Sequence, residues 1–173
     1  MTFLIDTDVL IRAKNDYYGF DFCPGFWDWL RHAHGQGIVF APIAVRDEIL
    51  RGKDELALWL EKLPESFFIE ISARTQPHLT AVSEWANQWK DRANTPKERI
   101  AAESAVGDFF RAADYFLVSQ ARELGYTVVT NEVSASTSKG RIKIPDVCSA
   151  VGVRSMNTYS MLRTAGVKLT FAP

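Results

Sequence analysis

The chain has 173 residues, of which 47% are hydrophobic and 24% charged, and its formal net charge is −1. These values predict one ordinary globular domain over residues 1–173, and they argue against a protein that coats nucleic acid through a broad basic face. Cys23 and Cys148 lack the spacing of a metal site, and the sequence has no apolar run of about 18 residues. We therefore expect a cytoplasmic protein without a membrane segment.

Short apolar runs alternate with helical patterns along the chain. The runs predict strands at 3–5, 38–41, 67–71, 127–130 and 153–157. Apolar spacing and helix-end signals predict helices at 9–14, 24–34, 42–50, 55–63, 77–91, 96–110, 112–124, 144–151 and 158–164. Strands that alternate with helices indicate an α/β fold with a mostly parallel sheet, covered by helices on both faces.

Acidic residues follow the predicted strands. Asp6 and Asp8 come directly after the first strand, and Glu132 comes directly after the fourth. Glu48 and Asp114 lie on helices that begin near strand ends. Because ligands of open α/β sheets bind at the carboxyl ends of the strands, we expect one acidic pocket there. If the chain stays extended, the first two acids point the same way; alternatively, one of them only caps the following helix.

Crowded carboxylates point to a bound cation. Each carboxylate raises its neighbours' pKa, so the cluster is costly unless a cation lies within it. Mg²⁺ or Mn²⁺ prefers oxygen ligands and is usually held by a few carboxylates plus substrate phosphate oxygens. Such a site predicts hydrolysis of a phosphate ester. His32, His34 and His78 do not have the spacing of a zinc site.

Four stretches of the sequence resemble the PIN-domain nucleases, in particular the bacterial PIN-like toxins of type II toxin–antitoxin pairs. In chain order the matching stretches are Ile5-Asp6-Thr7-Asp8-Val9-Leu10, Val45-x-x-Glu48, Ala113-Asp114 and Val128-Val129-Thr130-Asn131-Glu132. Each stretch alone is a weak signal, but the four in this order are fairly specific. They lie between residues 3 and 132, which is most of the chain.

The resemblance implies both a fold and an activity. The fold is a compact three-layer α/β/α sandwich, and the activity is that of an endoribonuclease that depends on Mg²⁺ or Mn²⁺. The implied partners are an RNA substrate, a cognate antitoxin protein and often a second copy of the chain. By the same match Asp6, Glu48 and Asp114 form the metal-binding core, and Glu132 is a more variable fourth acid. The family more often has Asn or Ser at the position of Asp8, so Asp8 either adds a further carboxylate or only preserves a hydrogen bond.

Basic residues are predicted close to the acidic end of the sheet. Arg12 and Lys14 follow the first strand, and Lys139, Arg141 and Lys143 alternate with small or apolar residues. We expect these side chains to contact RNA phosphates, and a merely solvated edge is the alternative.

Two other functions remain open at the level of sequence. The stretch Asp6-Thr7-Asp8-Val9 also fits the Asp-x-Asp motif of haloacid-dehalogenase-like phosphatases, in which Asp6 would be the nucleophile and Asp8 an acid/base. The remaining motifs of that family fit poorly, because no acidic pair follows later in the chain. The second alternative is a catalytically silent PIN-like binding module that acts through the aromatic residues around 17–29.

Overall fold

Five parallel strands form one sheet at the centre of the molecule. The computed structural model describes residues 1–170. The strands are β1 (Phe3–Ile5), β2 (Val39–Pro42), β3 (Phe68–Ile69), β4 (Thr127–Val129) and β5 (Ser155–Met156). They lie in the order β3-β2-β1-β4-β5, and every pairing is parallel. The predicted class, a three-layer α/β/α sandwich around a parallel sheet, is confirmed.

Helices connect the strands and cover both faces of the sheet. They are α1 (Thr7–Arg12), α2 (Pro24–Gly35), α3 (Ile43–Leu50), α4 (Glu55–Leu60), α5 (Gln76–Asn87), α6 (Pro96–Arg111), α7 (Ala113–Leu124), α8 (Ile144–Ala150) and α9 (Thr158–Thr164). A π-helical turn, Ala13–Tyr17, extends α1. No helix within residues 1–170 combines the length and the apolar character needed to cross a membrane.

The sheet separates two hydrophobic clusters, and the strands alternate between them. Phe3 and Ile5 of β1 belong to one cluster, which contains Trp27 of α2. Leu4 belongs to the other cluster, which contains Trp89 beyond α5. Successive side chains of a strand point to opposite faces, so this three-residue strand contributes to both clusters. Its complete burial explains why the sequence shows a continuous apolar run here.

Several predicted boundaries are wrong by a few residues. The third strand is limited to Phe68–Ile69, where the sequence predicts 67–71, and α4 ends at Leu60 instead of residue 63. The largest functional difference is at α1, which begins at Thr7, two residues earlier than predicted. The end of α7 is as predicted, since Gly125 adopts the left-handed conformation (φ 68°) that glycine tolerates best.

Candidate acidic site

Asp6 lies at the junction of β1 and α1, at the carboxyl edge of the sheet. Its backbone is extended (φ −81°, ψ 157°), and it occupies the N-cap position of α1 without making a side-chain capping hydrogen bond. Instead, its Oδ2 accepts a hydrogen bond of 2.8 Å from Thr130 Oγ1. The side chain is 3% exposed. The carboxylate is therefore held towards the end of β4, and the capping interpretation is wrong for this residue.

Asp6 and Asp8 do not follow the alternation of an extended strand. Helix α1 begins at Thr7, so the strand geometry expected to align the two side chains ends before Asp8. Both nevertheless line one cavity of about 250 Å³. The cavity is lined by Asp6, Thr7, Asp8, Ile11, Glu48, Asp114, Glu132 and Ile144. All five acidic residues predicted from the sequence thus face a single pocket.

Two threonine hydroxyls orient the acidic side chains of this pocket. Thr7 Oγ1 donates to Glu48 Oε2 at 2.7 Å, which links α1 to the exposed carboxylate on α3. Thr130 Oγ1 donates to Asp6 and accepts the Glu132 backbone N–H at 3.1 Å. Neither threonine stands out in the sequence, because threonine is common at and near strand ends.

The pKa of the half-buried Asp114 carboxyl group is strongly raised by its surroundings. It lies in the first turn of α7, and burial together with the negative charges of Glu132 and Glu48 raises its pKa to about 7. Lys143 acts in the opposite direction and lowers the pKa. The pocket therefore holds a carboxyl group that is protonated far more readily than an ordinary aspartate.

The surroundings of Asp6 also favour the protonated, neutral form of its carboxyl group. Burial raises its pKa well above the usual value, and the charge of Asp114 raises it further. The hydrogen bond from Thr130 lowers the pKa but does not outweigh these effects. Burial also raises the pKa of Asp8, and Arg12 opposes that change. In the absence of a cation, full ionisation of the pocket is unfavourable.

Glu132 is engaged through both of its carboxylate oxygens. Oε1 pairs with the ammonium group of Lys143, and Oε2 accepts the backbone N–H of Ile144 at 2.9 Å. Both charged side chains are about one-fifth exposed, at 21% for Glu132 and 20% for Lys143. The loop between β4 and α8 is thus closed by an ion pair at the rim of the pocket.

The donor chemistry of the pocket fits a hard divalent cation. All of its acidic groups present oxygen, and Asp8 Oδ2 is buried without a hydrogen-bond partner among the described residues. No group of three or more His, Cys, Asp or Glu side chains within residues 1–170 has the arrangement of a formed metal site. Thr130, Thr7 and Lys143 hold three of the acids by direct contacts.

The predicted RNA-contacting residues lie in four different surroundings. Arg12 donates to Asp16 and to the Tyr17 hydroxyl. Lys14 pairs with Asp54 beside α4. Among the residues of the basic loop, Arg141 and Lys143 line a second cavity of about 380 Å³ that shares Asp114 and Glu132 with the acidic pocket. Lys139 accepts the indole N–H of Trp89 through its backbone oxygen.

A third cavity, of about 170 Å³, adjoins the pocket on the side of Glu48. It contains Arg51 and Arg111 together with Asp47. Neither arginine stands out in the sequence, because each follows an apolar helical stretch and looks like an ordinary helix-end charge. The acidic pocket therefore adjoins two cavities that contain basic side chains.

The fold and this pocket define an α/β/α protein with a cluster of carboxylates at the carboxyl edge of its parallel sheet. The chain belongs to the DUF4411 family, described as a domain of unknown function, whose profile matches residues 3–169. No curated protein and no solved structure matches the chain.

Proposed function

We propose that this protein is an endoribonuclease that hydrolyses RNA phosphodiesters with Mg²⁺ or Mn²⁺. The observation that carries the proposal is the convergence of Asp6, Asp8, Glu48, Asp114 and Glu132 on one cavity at the carboxyl edge of the sheet. The raised pKa values of Asp6 and Asp114 add support, because a divalent cation would relieve the repulsion that causes them. The resemblance of the four sequence stretches to PIN-domain nucleases points to the same activity.

The protein's own side chains would share the work of this reaction. Asp6, Glu48, Asp114 and Asp8 supply oxygen ligands, and Thr130 and Thr7 orient the first two of them. When bound, a divalent cation lowers the pKa of water and neutralises charge on the phosphate. Hydrolysis then forms a bond between the water oxygen and phosphorus and breaks the bond to the leaving ribose oxygen.

A polymeric phosphate ester suits the surroundings of the pocket better than a small one. Arg141 and Lys143 line one adjoining cavity, and Arg51 and Arg111 line another. Side chains of this type contact phosphates that flank the one being cleaved. Acidic residues also lie in these cavities, so the positive charge is limited to a few side chains and does not form a broad basic face. This agrees with the net charge of −1.

The direct test is to incubate the purified protein with total cellular RNA and Mn²⁺ and to map new RNA ends by sequencing. We expect metal-dependent ends with the wild type, and none with Asp114→Asn. Asp28→Asn is the matched control, because it makes the same chemical change on α2, where the carboxylate is 71% exposed and outside the pocket. Identical end maps for the wild type and Asp114→Asn would exclude the proposed activity.

We further propose that the protein is the toxin of a type II toxin–antitoxin pair, acts in the cytoplasm and pairs with a cognate antitoxin. The support is the resemblance to PIN-like toxins, which also makes a homodimer the expected free form. Induced expression should arrest growth with the wild type but not with Asp114→Asn. Light scattering should give twice the chain mass. Normal growth with abundant wild-type protein would count against the toxin role.

A catalytically silent binding module is the second candidate. It is favoured by the lack of a formed metal site within the described residues, where Asp6, Glu48 and Glu132 are already held by other side chains. A protein of this kind should bind RNA or a protein partner without binding Mn²⁺. The phosphatase alternative is less favoured, because its nucleophile would be Asp6, which is 3% exposed and hydrogen-bonded to Thr130.

A further inference from the structure

Two exposed tyrosines form an aromatic pair on the surface beside the acidic pocket. Tyr17 is 38% exposed and Tyr159 is 40% exposed. Their ring centroids are 5.7 Å apart, and the planes meet at 68°, an edge-to-face arrangement. The residues are far apart in the chain, one at the end of the π-helical turn after α1 and the other in the first turn of α9. Tyrosine combines an apolar ring with a polar hydroxyl and is enriched at binding interfaces.

The first connection from this pair to the pocket runs through α1. Ile11 of α1 lines the pocket, and Arg12 follows it. The Arg12 guanidinium donates to the Tyr17 hydroxyl at 2.6 Å and lies 5.4 Å from the ring centroid. Asp8 lies one turn before Arg12 on α1, so the two side chains share one face of this helix. Arg12 therefore lies between the aromatic pair and an acidic wall of the pocket.

The second connection runs through the end of β4. Asn131 stands between Thr130, which binds Asp6, and Glu132. Its Oδ1 accepts both the backbone N–H of Thr158, at 3.2 Å, and the Thr158 hydroxyl, at 2.9 Å. Tyr159 is the next residue, so its backbone position is fixed by a side chain of the pocket's own loop.

We propose that Tyr17 and Tyr159 bind an unpaired nucleobase of the nucleotide next to the phosphate in the acidic pocket. Proteins that hold single strands combine aromatic rings, on which bases stack, with cations that contact the backbone. Arg12 is the cation in this arrangement and would meet the phosphate between the stacked base and the pocket. The inference rests on the proposed function for the identity of the substrate, but it concerns binding and needs no hydrolysis.

The test measures binding of a short, fluorescently labelled single-stranded RNA to the full chain in metal-free buffer with a chelator. We expect Tyr17→Ala and Tyr159→Ala each to weaken binding about fivefold or more, the loss typical of one base–aromatic stack. Tyr17→Phe keeps the ring and should stay within about twofold of the wild type on the same grounds. Phe22→Ala is the matched control, since Phe22 is 69% exposed and lies outside the acidic pocket.

Two further comparisons separate stacking from charge and from misfolding. Arg12→Gln should reduce the slope of log affinity against log salt by about 0.7, whereas the tyrosine variants should leave the slope unchanged. An abasic oligomer with the same sugar–phosphate backbone should bind the wild type and both alanine variants equally. Urea unfolding of every variant shows whether the fold is intact.

The outcomes distinguish this inference from the proposed function. Wild-type affinity for RNA in both alanine variants, or an equal loss with the abasic oligomer, would overturn the base-binding role. The same conclusion follows if the wild type does not bind RNA. If the tyrosine effects appear but no metal-dependent RNA ends are produced, the binding site stands and the hydrolase proposal fails.

Discussion

Two lysine–carboxylate pairs of this protein have the same local design but very different surroundings. In each pair the carboxylate accepts a lysine ammonium through one oxygen and backbone N–H groups at the start of a helix through the other. Asp54 pairs with Lys14 and accepts the N–H groups of Leu56 and Ala57, both at 3.1 Å. Glu132 pairs with Lys143 and accepts the N–H of Ile144 at the start of α8.

The difference lies in what surrounds each pair. The carboxylate of Asp54 is 41% exposed, and the hydrogen bond from Lys14 lowers its pKa, as expected of an acid that stabilises the fold when charged. Glu132 and Lys143 instead lie beside Asp114, whose pKa Glu132 raises and Lys143 lowers. The first pair stabilises a helix start, whereas the second also controls the charge of a pocket. The pocket, rather than the ion pair itself, therefore distinguishes the candidate functional site.

The largest expected contrast between the two regions is in activity. Asp6→Asn should reduce metal-dependent RNA cleavage more than about 100-fold, the upper end of the losses caused by residues that only support metal ligands. Its unfolding free energy should not fall, because the amide oxygen can still accept from Thr130 and no charge is buried. Asp54→Asn should show the reverse, with unchanged cleavage and a fold destabilised by up to about 1 kcal/mol, because the ion pair with Lys14 is lost. Parallel cleavage assays and urea titrations check both.

Removing the lysines should separate the pairs by stability. Lys143→Met leaves Glu132 unpaired beside Asp114, and we expect a loss of about 2 kcal/mol in the unfolding free energy. Lys14→Met should cost less than about 1 kcal/mol, since its partner is largely solvated. Urea denaturation at pH 7.5, above the pKa of Asp114, measures both losses. Equal losses would mean that the acidic surroundings of Lys143 have no energetic consequence.

The stability of the metal-free protein should depend on pH in a direction set by Asp114. Its pKa of about 7 in the folded state exceeds that of an unfolded aspartate, about 3.9, so the folded state binds more protons in between. Stability should therefore fall as the pH rises from about 4 to about 7. Asp114 contributes a slope of at most about 1.4 kcal/mol per pH unit, and the raised pKa of Asp6 acts in the same direction.

Asp114→Asn should flatten this profile, and Asp54→Asn should not. The lowered pKa of Asp54 has the opposite sign, because its contribution is present above the pKa of an unfolded aspartate and is lost as the pH falls through its lower folded value. Chemical denaturation between pH 3.5 and 8 separates the pH range in which Asp114 affects stability from the lower range in which Asp54 does. An unchanged slope in Asp114→Asn would show that another group is responsible.

A further small effect is expected from the hydroxyl that binds Asp6. Thr130→Val is nearly isosteric at a residue that is 2% exposed, so it removes the hydrogen bonds to Asp6 and from the Glu132 backbone N–H with little change in packing. We expect a loss of about 1 kcal/mol in the unfolding free energy. Thr7→Val should cost less, because its acceptor Glu48 is exposed to solvent. Similar urea midpoints for Thr130→Val and the wild type would contradict the orienting role.

The fold and the convergence of the acidic side chains can be predicted from the sequence because both depend on short-range signals. The apolar run before Asp6 and the glycine after α7 identify a buried strand and a helix end from local chemistry alone. The convergence of Glu48 and Glu132 follows from parallel topology, since both come shortly after strand ends. Asp114 follows α6 instead of a strand and lines the pocket from the first turn of α7.

The supporting contacts could not be predicted in the same way, because they join distant parts of the chain. Thr130 is 124 residues from Asp6, and Thr7 is 41 residues from Glu48. The Tyr17–Tyr159 pair likewise depends on how α9 lies against the turn after α1. The predicted start of α1 is two residues late because Asp6-Thr7-Asp8 is equally compatible with a continued strand and with a helix N-terminus.

Calorimetric titration of the metal-free protein with Mn²⁺ tests most directly whether the acidic pocket binds a divalent cation. We expect saturable binding to the wild type and to Asp28→Asn, and binding weakened more than about tenfold in Asp114→Asn, since that carboxylate lines the pocket. Heats that do not saturate with the wild type, or equal affinities for the wild type and Asp114→Asn, would contradict the claim.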